Sequence, residues 1–297
     1  MDGILLIDKP AGMSSAEVVR QVKRRLGRKT RVGHLGTLDP FATGLLPILV
    51  GEATKLAPFL QENDKEYEGA IRLGIETDTL DPTGRVVREA ALPAFDSERL
   101  SAIAARFTGT IEQAPPVFSA LKRGGVPLYK LARQGREIAP PLPRRVVVRH
   151  LELRRESDSL IAFRLLCAAG TYARALARDI GVALDSAAHL AWLRRLASGG
   201  FRRDQAIALN AALAVLESDG NVSLIGLRDA LGSMPEVLVD AGAERRLRHG
   251  DVRALTGMVP RGAGLFKVVS KSGLVAVART ESPVMASLVR IFTEAAA

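Results

Sequence analysis

Along the first quarter of the chain the apolar positions change period. Residues 3–7 (GILLI) form a continuous apolar run, which predicts a short buried strand, and Lys9, Pro10 and Gly12 turn the chain after it. Ser14 with Glu17 three residues on fits a capping box, and Val18, Val19, Val22 and Leu26 then recur at helical spacing. Residues 67–75 (YEGAIRLGI) alternate instead, with Tyr67, Gly69, Ile71, Leu73 and Ile75 on one face of a half-buried strand. Asp96 predicts the cap of a helix that reaches about Phe107 and turns Leu100, Ile103, Ala104 and Phe107 inward. Two apolar strands are expected near 146–153 and 159–168, followed by a helix from about Thr171 that packs through Ala175, Leu176 and Ile180. Residues 241–249 run into Gly250 as a helix end does, and the runs GLFKVVS and GLVAVART with a last apolar segment predict a small β-rich terminal unit. Helices and strands intermixed in this way imply an α/β (mixed α+β) fold, and 297 residues suit a main domain with a smaller one appended.

One stretch, 114–145 (APPVFSALKRGGVPLYKLARQGREIAPPLPRR), keeps neither period and is longer than most connections in a compact domain, so it is expected to be a functional segment. It is also basic. Ten Lys or Arg face two acids between Lys122 and Arg155, and seven basic residues lie between Arg20 and Arg31 with no acid among them. Those two segments exceed the +10 of the whole chain, so the positive charge is concentrated, as a phosphate-binding surface requires; a solvated basic helix face is the plainer reading of the first. With 13 aromatic residues, recognition of RNA shape and phosphates is favoured over a base-stacking platform. No apolar run is long enough to span a membrane, and the start MDGILLIDKPAG lacks secretory features, so a cytoplasmic protein is expected. Cys167 lies in an apolar run and reads as a buried strand thiol, while four scattered histidines offer no metal-ligand spacing.

The densest stretch is Gly33–Pro47, GHLGTLDPFATGLLP, where three glycines, two prolines, His34 and Asp39 fix the backbone tightly. It is neither a P-loop nor a dinucleotide fingerprint. Taken alone, Asp39-Pro40 is a turn. Together with GILLIDKPAGMSS before it and DKEYEGAIRLGIETDTLDPTG, PPVFSALKRGGVPLYKLARQGRE, CAAGTYARALARDIG and AHLAWLRRLASGGF after it, however, the segment resembles the bacterial TruB family of tRNA pseudouridine synthases over almost all of residues 1–201. The tail resembles, more weakly, the small RNA-binding PUA domain.

The resemblance implies a catalytic domain over 1–232 on a mixed, largely antiparallel sheet with flanking helices, an RNA-gripping insertion at about 114–145, and a PUA-like domain over 233–297. The implied reaction converts uridine 55 in the T loop of tRNA to pseudouridine after base flipping, without metal or cofactor, in a monomer that contacts the T arm and elbow and needs no guide RNA. Asp39 is the implied catalytic aspartate, Tyr67 stacks on the base and relays the C5 proton, and Arg174 pairs with Asp39 and keeps it ionised. His34 supports the opened loop, and Leu193 walls the pocket unless it is a helix-core position. Lys9, Asp81, Tyr172, Lys122, Lys130, Arg133 and Arg136 complete the implied substrate contacts. Whether Asp39 attacks C1′ or C6, or takes a sugar proton, the residues leave open. Leu35 and Ala16 depart from the family pattern, in which a small or hydroxylated residue and a histidine are usual, and both are expected to alter the T-loop fit. A two-carboxylate glycosidase is disfavoured because the motifs offer Asp39 an arginine and a tyrosine. An RNA-folding protein acting without turnover is the alternative of a different class.

Overall fold

The apolar run at the N-terminus is the strand Gly3–Lys9, and it lies near one edge of a ten-stranded sheet in the computed structural model. The structure describes all residues except 120, 135–137, 140, 219–221, 233, 263 and 294–297, and only the backbone of 122, 129, 130 and 133. Across the sheet the strands run in the order Ile207–Ala208, Gly3–Lys9, Thr43–Val50, Ala188–Ser198, Lys65–Leu73, Leu160–Cys167, Arg144–Ser157 and Gly109–Gln113. Val32–His34 and Phe201–Arg202 pair off this path. All pairings are antiparallel except Gly3–Lys9 with Ile207–Ala208 and Thr43–Val50 with Ala188–Ser198, so the sheet is mixed and largely antiparallel.

Ser14 caps the helix Ser15–Leu26, its side chain accepting from Glu17 N at 3.1 Å, and Val18 and Val22 are buried. The Glu17 carboxylate turns outward to Arg20, Gln21 and Arg24. Asp96 likewise caps Ser97–Arg106 through Arg99 N at 2.8 Å, with Leu100, Ile103 and Ala104 inward. The alternating strand covers Lys65–Leu73 and stops there, because Gly74 turns with φ +87 and Ile75 starts a separate hairpin with Val86–Glu89. Residues 188–198 correct the helix-core alternative for Leu193. They form a strand in which Leu193, Arg195 and Ala197 are buried and Trp192 is exposed, a period of two that the Arg194-Arg195 pair hides from a polarity reading. The irregular stretch after 114 holds a short hairpin, Lys122–Arg123 with Val126–Pro127, and the helix Leu128–Arg133, and its end at Arg144 already belongs to a strand.

The terminal unit is a separate four-stranded sheet in the order Glu236–Leu238, Leu265–Ser270, Gly273–Ser282 and Met285–Ile291, beside the helix Ala241–Arg248. Its own core gathers Leu247, Phe266, Val268 and Val275. A second apolar cluster is shared with the main sheet: Val269, Leu274, Val277 and Phe292 pack with Ile4, Leu6, Leu45 and Leu49. Around this seam Glu52, 7% exposed, accepts from Lys55 at 2.6 Å and from Thr293 N at 2.9 Å and also pairs with Arg31. Among the described residues no helix is long and apolar enough to cross a membrane.

Candidate active site

Asp39 lies in the irregular segment between the strands Val32–His34 and Thr43–Val50, and three contacts from the N-terminal turn hold that segment in place. The Ser15 hydroxyl, 1% exposed, donates to Leu38 O at 3.0 Å and accepts from Leu38 N at 2.8 Å. Gly12 N donates to Pro40 O at 2.8 Å. The Lys9 ammonium, 1% exposed, donates to Pro10 O, Met13 O and Pro40 O. Gly44, with φ +98, lets Thr43–Val50 approach Ala188–Ser198 closely, since a Cβ there would collide with the Arg195 backbone.

The loop borders a cleft of about 290 Å³ lined by Asp39, Tyr67, Tyr172, Arg174 and Leu193, together with Gly36, Gln61, Lys65, Ser119 and Arg195. Arg174, from the helix Ala173–Ala183, grips Asp39 with two arms, Nε to Oδ2 at 2.8 Å and Nη2 to Oδ1 at 3.1 Å. The same guanidinium donates to Thr79 O at 2.8 Å and Phe118 O at 2.9 Å, so its orientation is fixed from behind. Asp39 keeps 34% of its side-chain surface open, which leaves the carboxylate reachable from the cleft. Burial pushes its carboxyl above the usual aspartate value; Arg174 opposes this, Asp81 adds to it, and Lys9 opposes it again. Tyr67 is 8% exposed on the same floor, and burial raises its phenol although Arg195 draws it down.

Asp39, Tyr67, Tyr172, Arg174 and Leu193 thus come together, whereas Lys9, His34 and Asp81 do not line the cleft. Lys9 braces the loop from inside; burial lowers its ammonium to about 8, Asp39 raises it, and Arg195 lowers it. Asp81 stands behind Arg174, 3.6 Å from Nη1, and accepts from Thr79 and Thr83 hydroxyls at 2.8 and 2.6 Å. His34 is half-buried on its strand, with Nδ1 unpartnered among the described residues. Leu35, at 1% exposure, packs with Ile4, Leu45 and Phe201 in the shared cluster, while Ala16 is exposed on the helix. The side chains of Lys122, Lys130 and Arg133 and the whole of Arg136 lie outside the described residues. Cys167 is a buried strand thiol as expected, pushed up to about 11 by burial. Sequence reading missed Ser15, Lys65, Ser119 and Arg195; the last was legible only as the partner of Leu193 at a spacing of two along a strand.

The chain that builds this cleft matches a known sequence family. The family model described as TruB family pseudouridylate synthase (N terminal domain) matches residues 23–173. Curated relatives match over more of the chain: tRNA pseudouridine synthase B of Geobacter sulfurreducens is 45% identical over 252 residues, 84% of this chain and 82% of the relative. The chain belongs to the TruB family. The member from Dechloromonas aromatica, also named tRNA pseudouridine synthase B, is 43% identical over 93% of this chain and 91% of its own. A chain in the crystal structure of a Cbf5-Nop10-Gar1 complex superimposes with a TM-score of 0.73 at 25% identity, over 98% of this TruB-family chain and 84% of that one. The overlay extends beyond the residues of the family match, so it takes in the terminal sheet as well as the large one.

Proposed function

We propose that this protein isomerises uridine 55 in the T loop of tRNA to pseudouridine, with Asp39 acting at the bond between base and sugar. Membership of a pseudouridylate synthase family supports the reaction class. The observation that carries the reading onto particular residues is the two-armed Arg174–Asp39 pair at the rim of a cleft floored by Tyr67 and walled by Leu193. A cleft of about 290 Å³ has room for a single flipped base, not for a duplex, so the target nucleotide leaves its stack before reaction. Tyr67 offers a ring face for stacking and a hydroxyl to take up the C5 proton, and Tyr172, with the Arg144 guanidinium 5.0 Å from its ring centroid, lines the same cleft. The overall change is redox-neutral and calls for positioned acid–base groups and a carboxylate.

The same reading makes residues 233–297 a PUA-like RNA-binding domain appended to a catalytic domain of 1–232. It also makes the insertion at about 114–145 the grip that lets a cytoplasmic monomer bind the T arm and elbow of tRNA without a guide RNA. In the basic segment Arg20–Arg31, Arg20 and Arg24 pair with Glu17, Arg25 with Glu217 and Arg31 with Glu52, which among the described residues leaves Lys23, Arg28 and Lys29 as its freer cations for phosphate.

The test is Asp39→Asn on an unmodified tRNA transcript, with modified positions mapped by mass spectrometry. The wild type is expected to yield pseudouridine at position 55, and the variant none, while its tRNA affinity stays within about tenfold, roughly 1.4 kcal/mol. Turnover by the variant near the wild-type rate contradicts the role given to Asp39, and modification at another position contradicts the substrate.

A further inference from the structure

Arg195 heads the fully buried side chains at 0% exposure, and a guanidinium at that depth is costly unless each N–H is satisfied. Two of its arms are tied: Nε donates to Leu45 O at 2.7 Å and Nη2 to Gly36 O at 3.1 Å. Nη1 has no hydrogen-bond partner among the described residues, and the residue lines the cleft. The carboxylate of that cleft, Asp39, is already held by Arg174. Arg195 stands directly across from Tyr67 in the antiparallel register, so the two side chains leave the sheet side by side. Burial raises the Tyr67 phenol, and the charge of Arg195 and its side-chain approach to the hydroxyl draw it down. Gly36 leaves space in front of this arm, since a Cβ there would sit 3.4 Å from Nη1. A second group without a partner among the described residues, Ser119 Oγ at 4% residue exposure, lines the same cleft. Asp39, a third open, and Arg195, closed beneath the surface, line the same cleft, so a nucleotide seated there lies between a reachable carboxylate and a buried guanidinium.

We propose that Arg195 is a further catalytic residue whose Nη1–H donates to a carbonyl oxygen of the flipped uracil and holds the negative charge the ring acquires during isomerisation; this rests on the pseudouridine synthase reading. When the N1–C1′ bond breaks, its electron pair stays on uracil, spread over N1, O2 and O4. C1′ is resupplied through Asp39, either by a C1′–O bond to the carboxylate or, after the carboxylate takes the C2′ proton, by a C1′=C2′ double bond. In both cases the ring then turns, its pair closes the C5–C1′ bond, the contribution of Asp39 is reversed, and the C5 proton is lost while N1 gains one. Nothing is oxidised or reduced. Attack at C6 would likewise send a pair toward O4. A fixed donor in a dry site stabilises such charge without reorganising, and Lys65 beside it adds to the positive potential.

The experiment uses full-length wild type, R195M and R195K with ligated tRNA transcripts that carry uridine or 5-fluorouridine at the target. Consumption of the target nucleoside is followed in single turnover, with tRNA affinity and thermal melts measured in parallel. Fluorine makes the departing base a more stable anion without touching the protein. R195M is expected to lose about 100-fold with uridine, a loss about tenfold smaller with 5-fluorouridine, and tRNA affinity within about threefold of wild type. R195K is expected to be intermediate with the same fluorine bias. An arginine that only ties Gly36 to Leu45 would slow both substrates by one factor, so equal losses, or no loss, overturn the proposal. If R195M does not fold, R195K decides by the same comparison. Wild type that leaves both transcripts unchanged overturns the synthase reading itself, a separate outcome.

Discussion

At Asp39 two effects oppose each other: burial disfavours the carboxylate, and the Arg174 guanidinium, held by two backbone carbonyls, favours it. Because the balance lies upward, the ionised form is lost as pH falls through a value above that of an ordinary aspartate, about 3.9. The acid limb of the single-turnover rate is therefore expected above about pH 4 and is read from a pH–rate profile with tRNA saturating; a flat profile down to that pH contradicts it. Asp39, Tyr67 and Arg174 were legible as family motifs, and the fold brings them to one cleft. Ser15 and Arg195 were not, because what matters about them is long-range: a hydroxyl bonded to Leu38 from 23 residues away, and a guanidinium bonded to Leu45 from 150 away. Neither contact leaves a periodic trace. Lys9 was placed among the substrate contacts because it falls in a family-typical segment; its ammonium here is consumed by three carbonyls.

Among the elements, those with local stop and start signals were the most legible. Ser14 and Asp96 cap the helices they were expected to cap, and Gly250, with φ +86, follows the helix Ala241–Arg248. The strand Ala188–Ser198 was obscured because it is sandwiched between Thr43–Val50 and Lys65–Leu73 and carries arginines in a buried sheet, one of them turned inward to carbonyls. Within Ala241–Arg248, burial would raise the Glu244 carboxyl, but the Ser272 hydroxyl and the Arg248 guanidinium pull it down to about 2. A depressed carboxyl stabilises the fold above its unfolded value and loses that contribution as pH falls through its folded value. Glu244→Gln is therefore expected to be less stable than wild type at pH 7 and to converge with it between about pH 4.5 and 2. Urea unfolding at several pH values measures this, and a pH-independent difference counts against it.

For the molecule as a whole, composition pointed to concentrated positive charge and two units, and the structure adds how the units adhere. Val269, Leu274, Val277 and Phe292 bury themselves against the main sheet, and Thr293 closes on Glu52. A chain ending at residue 232 would take Val269, Leu274, Val277 and Phe292 out of the shared cluster, each apolar side chain worth about 1.5–3 kcal/mol when fully buried. It is expected to melt well below the full chain or to aggregate; an unchanged melting temperature would show that the shared cluster contributes little. That seam was invisible in the sequence because each half of it lies on a strand with an adequate local partner. The central claim, that this TruB-family chain performs the isomerisation itself, is tested most directly by tritium release from C5-labelled uridine in an unmodified tRNA transcript, with no cofactor added. One tritium released per target site by wild type, and none by Asp39→Asn, is the predicted result; tight tRNA binding by wild type with no release would contradict it.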